Sequence, residues 1–423
     1  MEESNSTHLT TVAFVPSKHG ARSTAIILQL PAGEEKDPNA VPEVIIKEND
    51  QEHPSIRPNV TSDEETHIII SSGSGTGKAE VFYEQAVKPI LETLWPEGHM
   101  NFLTHRTESV STIQELTSDI FFPTANAGIT LRIILLTGDG GIVDLVNGFL
   151  SQPPSSNYKA PQVVLLPLGT ANALYHSINV SNPHQNTWGL RALCFNASQE
   201  AQRKPLPIFT ASFSPGARLL TNEARDEEAL PQDPKSGRPI LHGAVVASWA
   251  MHASLVADSD TAEYRKFGID RFKMAAKEAL YPADGSPPHP YRASVSVLHG
   301  SDWSPLPEKE HMYVLATMVS NLEKPFCISP RSEPLDGSLW LVHFGPTSGD
   351  EAMRVMGLAY QGGKHVEDPM VRYEEVDGLR IEFQEKEDRW RRVCVDGKIV
   401  RVEERGWVEI RKEERRVLDV VVE

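Results

Sequence analysis

Asp139 stands in the stretch Ile133-Ile-Leu-Leu-Thr-Gly-Asp-Gly-Gly-Ile-Val-Asp-Leu-Val-Asn-Gly148, a carboxylate carried on a glycine turn. The apolar run before it predicts a buried strand, and Ile142, Val143, Leu145 and Val146 after it suit a helix. Glycines at 138, 140 and 141 let the backbone approach a ligand closely, and the first amides of a helix favour an anion. Phosphate and a carboxylate repel unless a cation, or a hydroxyl about to lose its proton, lies between them. The pattern therefore predicts phosphate binding with a general base inside it. Two more glycine turns follow strand-like runs, Ser71-Ser-Gly-Ser-Gly-Thr-Gly-Lys78-Ala79 and Leu168-Gly-Thr-Ala-Asn172. The first is not a Walker A loop: GxxxxGK[ST] would require Gly at Ser72 and Ser or Thr at Ala79, so the magnesium-binding hydroxyl is missing. Backbone geometry alone explains any single turn of this kind. Three in series, each behind a strand, predict one shared polyanion site.

Such turns need a scaffold of repeated strand, turn and helix. From His67 an apolar strand leads through a glycine turn to Phe82, Ala86, Ile90 and Leu94 at spacing four, with Val87 and Leu91 beside them, a helix interrupted by Pro89. Further strand-like pieces at Met100 to Leu103, Leu131 to Leu136 and Gln162 to Leu166 complete a parallel sheet with its ligand at the strand ends. After about Pro205 the pattern changes to short alternating runs, such as Leu241 to Ala250, Tyr291 to Leu298, His311 to Val319 and Leu339 to Phe344. The expected fold class is α/β. An N-terminal extension with short strands (1–63) precedes a Rossmann-like parallel-sheet domain (64–204). A mostly antiparallel β-sandwich domain (205–423) follows, with exposed loops at 222–238 and 281–290.

Composition narrows the choice of partners. A formal net charge of -17 over 423 residues argues against a general nucleic-acid binder and against attraction of the whole surface to anionic lipid. Cys194, Cys327 and Cys394 are far apart and lack CxxC spacing, so neither zinc nor a disulfide framework is indicated and a reducing, cytoplasmic setting is expected. No apolar run approaches the length of a membrane span.

Taken together, these residues resemble the lipid kinases of the diacylglycerol kinase and sphingosine kinase superfamily, discontinuously from about Ile68 to Lys398. Ser71 to Ala79 stands where that family has N-P-x-x-G-x-G-x-A. Thr137-Gly-Asp-Gly-Gly141 through Asn147-Gly148 is similar to its G-G-D-G turn and E-x-x-N-G helix, and Leu168-Gly-Thr-Ala-Asn-Ala-Leu174 with Ser177 to its G-S/T-x-N segment. Thr107-Glu108 resembles a further Thr-Glu pair. Between Ser248 and Phe272, Asp258, Glu263-Tyr-Arg265, Gly268 and Arg271-Phe272 keep the order and spacing of a sphingosine kinase block, and Val395-Asp-Gly397 resembles a later one.

The resemblance implies an ATP-dependent kinase, with Mg2+, for the primary hydroxyl of a sphingoid base. Asp139 would be the general base. Ser71, Gly75, Gly77, Thr107, Thr137, Gly138, Gly140, Gly169, Thr170, Asn172, Arg265, Arg271 and Asp396 would line the nucleotide site, with no metal ligand assigned. Asp258 and Ser248 would meet the lipid: an amine in an apolar cleft needs an anion, whereas diacylglycerol would leave a buried carboxylate unpaired. His242 and His252 lie among apolar residues and are expected in the core. A chain acting on lipid is expected to touch a membrane transiently through local apolar residues.

Departures from the family pattern are Ser71-Ser72 for Asn-Pro, Thr137 for glycine, Asp144 for glutamate, Thr112-Ile113 for His-Ala, and Lys398 for an acidic residue. The alternatives are a kinase for diacylglycerol, ceramide or NAD, the last because the G-D-G turn also occurs in NAD kinases and Thr221-Asn-Glu223 resembles their Asn-Glu pair, or a degenerate kinase that binds without turnover.

Overall fold

The computed structural model describes residues 8–17, 22–30, 41–57, 64–95, 102–180, 186–196 and 201–422. Two compact units divide the chain: 1–170, 179–205 and 416–423 form the first, and 171–178 with 206–415 the second.

The first unit begins with an antiparallel sheet of β1 (His8–Val15), β2 (Ser23–Leu30) and β3 (Glu43–Asn49). Val12, Val15, Ile26 and Leu28 share one hydrophobic cluster with Ile68, Phe82, Ala86 and Ile90, so the expected extension is built into this unit's core. The main sheet runs β5 (Phe102–Arg106), β4 (Glu64–Ile70), β6 (Thr130–Thr137), β7 (Gln162–Pro167), then the C-terminal strand Asp419–Val422 and β8 (Gln202–Pro205). The pairings from β5 to β7 are parallel. Every residue of β6 is buried, as a strand covered on both faces requires. Asp419–Val422 pairs parallel to β7, which places the end of the chain in the first unit rather than in the expected 205–423 domain. It covers an edge of β7 that would otherwise be open.

Pro89 does not end its helix. Ala79–Phe82, a π-helical segment Tyr83–Val87, and Lys88–Leu94 run on as one helix, α1. Lys88 N donates to Tyr83 O, five residues back, and this wider turn absorbs the proline's missing donor and ring. The next helix, α2, repeats the device: Thr112–Leu116, a π segment Thr117–Phe121, then Phe122–Asn126 with Pro123 at the matching place. Asp139–Leu150 forms α3.

The second unit holds an eight-stranded sheet, with Val246–Ala250 flanked by Tyr313–Thr317 and Arg392–Val395, and a seven-stranded sheet that includes Ile208–Phe213, Tyr291–His299, Gly378–Phe383 and Trp407–Glu413. Their described pairings are all antiparallel. Helices Met251–Ser259, Ala262–Arg265 and Asp270–Leu280 follow Val246–Ala250 in turn. The expected loop 222–238 contains a strand, Asp226–Ala229, paired with Arg218–Thr221. All four of its residues are exposed, so its acidic composition concealed it.

Candidate active site

The order β5-β4-β6-β7 sends the chain to opposite sides of β4, so the topological switch point lies between β4 and β6, where open α/β sheets place their ligands. The loops leaving the carboxyl ends of those two strands are the first two glycine turns. Ser71 N donates to Leu136 O at 3.1 Å, and Gly138 N donates to Ser74 Oγ at 3.0 Å. Ser72 Oγ donates to Thr107 O at 3.1 Å, while Thr107 N donates to Ile70 O at 3.0 Å. The third turn joins by contact. Gly75 lies at φ +55 with Leu168 O where a Cβ would sit, and a Cβ on Gly138 would come within 2.7 Å of Gly169 Cα. Gly77, at φ +73, closes the first loop through its N–H to Ser74 O at 2.9 Å.

Hydrogen bonds and close packing thus bring Ser71, Gly75, Gly77, Thr107, Thr137, Gly138 and Gly169 together, and Thr170 follows half-buried. Thr137 Oγ1 donates to Gly138 O at 2.8 Å and fills the space beside Gly141. A Cβ on Gly140 or Gly73, by contrast, would meet nothing within 4 Å. That is the side on which a ligand has room. Asp139 is the first residue of α3 and is half-buried. The first-turn amides of a helix have no partner within it, and they present partial positive charge beside this carboxylate. The Gly138 amide, expected on the ligand, is instead taken by Ser74, whose role the sequence signals only as a hydroxyl between two glycines.

In the second unit Asn172 lies at φ +52 at the start of Ala173–Ile178, and Ser177 on that helix bonds both the N and the O of Asn321. Arg265 Nε and Arg271 Nη1 both donate to Asp260 Oδ1, at 3.0 and 3.5 Å. Burial pulls the Arg271 guanidinium down from its ordinary value, opposed by Asp260 and aided by Arg265. Its buried Nε has no hydrogen-bond partner among the described residues.

Three expected contacts are corrected. Asp396 is buried at φ +47, and its carboxylate accepts from the backbone amides of Ala244 (2.6 Å), Val245 (3.1 Å) and Val246 (2.5 Å). It holds a turn rather than presenting itself to a nucleotide. Ser248 is 1% exposed and its hydroxyl shares a 2.7 Å hydrogen bond with His252 Nδ1, so it is a core residue. Asp258 does not lie in an apolar cleft: it is exposed and accepts from Arg392 Nη1 at 2.7 Å. No pattern in the sequence marks Arg392, which the sheet brings from 134 residues away.

His242 lies in the core as expected, 4% exposed, whereas His252 is half-buried and pushed down to about 4 by the burial of its ring. Asn222 and Glu223 form the turn of a hairpin, Glu223 accepting from Ala262 N at 2.9 Å. All three cysteines are free.

A parallel sheet whose glycine turns meet at the switch point, with one carboxylate at a helix start among them, defines an α/β domain shaped for phosphate. Residues 65–202 match the diacylglycerol kinase catalytic domain. Sphingosine kinase 1 from Rattus norvegicus is 22% identical over 325 residues, covering 71% of this chain and 77% of that protein. The Homo sapiens counterpart is 21% identical over 350 residues, covering 74% and 81%. The fold is shared with a crystal structure of a candidate diacylglycerol kinase from Bacillus anthracis str. Sterne, at TM-score 0.56 and 14% identity over 86% of this chain and 97% of that one. The segment 65–202 thus matches the diacylglycerol kinase catalytic domain, and the chain as a whole is similar to sphingosine kinases.

Proposed function

We propose that this protein transfers the terminal phosphate of ATP to the primary hydroxyl of a sphingoid base, with Asp139 as general base. The observation that carries this reading is the position of Asp139 on the first turn of α3, where three glycine turns pack together and leave Gly140 open. The carboxylate takes the hydroxyl proton as the oxygen attacks the terminal phosphorus. The bond from that phosphorus to the bridging oxygen breaks, and ADP leaves. Amides of the turns and the guanidinium groups of Arg265 and Arg271 would stabilise charge on the phosphates, which is most of the catalytic task in phosphoryl transfer.

Among the described residues no three His, Cys, Asp or Glu side chains form a metal site. A magnesium ion accompanying the nucleotide would be held chiefly by its phosphates. It would neutralise developing charge on the phosphates.

The likeness to sphingosine kinases supports a sphingoid base as acceptor. A neutral lipid alcohol, such as diacylglycerol or ceramide, is the second reading, and the pairing of Asp258 with Arg392 favours it. Either substrate lies in a bilayer, so transient contact with membrane in an otherwise cytoplasmic protein is part of the proposal.

ADP release by wild type and Asp139→Asn, with sphingoid base, diacylglycerol and NAD in parallel and the lipids presented in vesicles, tests both chemistry and substrate. The variant is expected to lose roughly 10²–10⁴-fold in turnover while staying folded, and the wild type to float with substrate-loaded vesicles. Equal turnover by both proteins would refute the base assignment, and turnover by neither would leave a binding module.

A further inference from the structure

We infer that the outer edge of β3 docks a second copy of this chain, strand against strand, antiparallel about a two-fold axis at Ile45. This pairing is independent of the kinase reading and concerns how the protein assembles.

The residues of β3 suit the interior of a sheet. Val44-Ile45-Ile46 is an unbroken run of β-branched apolar side chains, the pattern of a strand covered on both faces, whereas open edges are ordinarily short, charged or interrupted. Yet β3 ends its sheet: the order is β1-β2-β3, and no described residue pairs with its far side. The edge at β1 differs, because Ile56 N donates to Phe14 O at 2.8 Å and later chain lies against it. The register with β2 sets Val44 beside Leu28 and Ile46 beside Ile26, both fully buried, and sets Ile45 beside Ile27 on the opposite face. Val44 packs against the core cluster of the first unit. Ile45 and Ile46 nevertheless remain 37% and 39% exposed. Apolar surface is thus open on both faces at one edge. A ligand lying on one face would leave the other bare, while a further strand covers both.

Charge selects the strand. Antiparallel pairing centred on Ile45 sets Val44 opposite Ile46 of the second copy and Glu43 opposite its Lys47, and the two-fold axis makes each contact twice. Centring one residue later would instead set Ile45 against Lys47 and Val44 against Glu48. Glu43 and Lys47 are exposed, and neither has an ion-pair partner among the described residues. A lysine in mid-strand repels foreign edges, and a copy of the same strand supplies the carboxylate that answers it.

Sedimentation velocity on the full chain, from low to high micromolar concentration, tests this. The wild type is expected to dimerise across that range. Glu43→Lys and Lys47→Glu each set like charges face to face twice, and each is expected to raise the dimer dissociation constant roughly tenfold or more. An equimolar mixture of the two variants pairs lysine with glutamate at both positions and is expected to re-form the dimer, as is the Glu43→Lys/Lys47→Glu double variant. Circular dichroism checks that every variant, altered only in exposed side chains, keeps its fold. A wild type that stays monomeric, a dimer that neither reversal weakens, or a loss that mixing does not restore would each overturn the pairing. Absence of ADP release by a protein that dimerises in this way would sink the kinase reading and leave the docking edge standing.

Discussion

In the proposed reading Asp139 combines two requirements that usually conflict, a negative charge and a site that must hold anions. The first turn of α3 eases the conflict, since helix N-terminal amides stabilise a carboxylate as well as a phosphate. The glycines around it serve different ends. Gly75 needs its positive φ, whereas Gly138 sits at φ -90 and ψ -168, which any residue adopts. What Gly138 supplies is closeness to Gly169. Gly138→Ala places a methyl group 2.7 Å from Gly169 Cα with backbone on both sides, so the turns must part. It is expected to lower stability by about 1–3 kcal/mol and to weaken ATP binding further than stability alone explains. Denaturant unfolding and nucleotide titration on one preparation check this, and unchanged ATP affinity would mean that the contact between the turns does not shape the site.

Strands and helices show how local rules yield to packing. Both prolines in the helical runs of the first unit are preceded by a π segment ending two residues before them, so a residue that should break a helix instead sits behind a wider turn. In the second unit the connection between Ile240–Gly243 and Val246–Ala250 points three successive amides inward, and one carboxylate from the distant turn after Arg392–Val395 satisfies them all. Asp396→Ala leaves these donors buried and unpaired. It is expected to cost about 3 kcal/mol or more in stability, seen as a lower denaturation midpoint, with ATP affinity unchanged in the protein that remains folded. The opposite outcome, normal stability with weakened ATP binding, would return Asp396 to the nucleotide site.

Across the whole molecule, a net charge of -17 coexists with local basic clusters, so charge decides partners residue by residue rather than through the overall field. Buried histidines link that charge to pH. Burial pushes His242 down to about 4 and His343 to about 3 from the ordinary 6.5. Both are 4% exposed or less, and both are neutral in the folded protein at neutral pH. Below 6.5 the unfolded chain binds protons that the folded chain refuses, so stability is full above that pH and falls as pH drops toward about 4. Each such histidine contributes a slope of about 1.4 kcal/mol per pH unit in that window. Denaturant midpoints at stepped pH should fall less steeply for His343→Gln, by one proton's worth; an identical slope would show that His343 is not the group that resists protonation.

The first unit was largely legible in the chain because its signals are local: an apolar run, a glycine turn and an amphipathic helix lie within a few residues of one another, as from Ile133 to Gly148. Periodicity also marked the antiparallel grammar after Pro205. Partnerships across long separations were out of reach. Neither the return of Asp419–Val422 to the first sheet, nor the capture of three amides by Asp396, nor the pairing of Arg392 with Asp258 leaves a local pattern. An ion pair or a strand edge is fixed by where the fold sets two segments in space. The sequence by itself determined that an acid stands at residue 139 on a glycine turn between a strand and a helix; tertiary structure alone decided which charges hold the protein together, because ion pairs form between segments far apart in the chain.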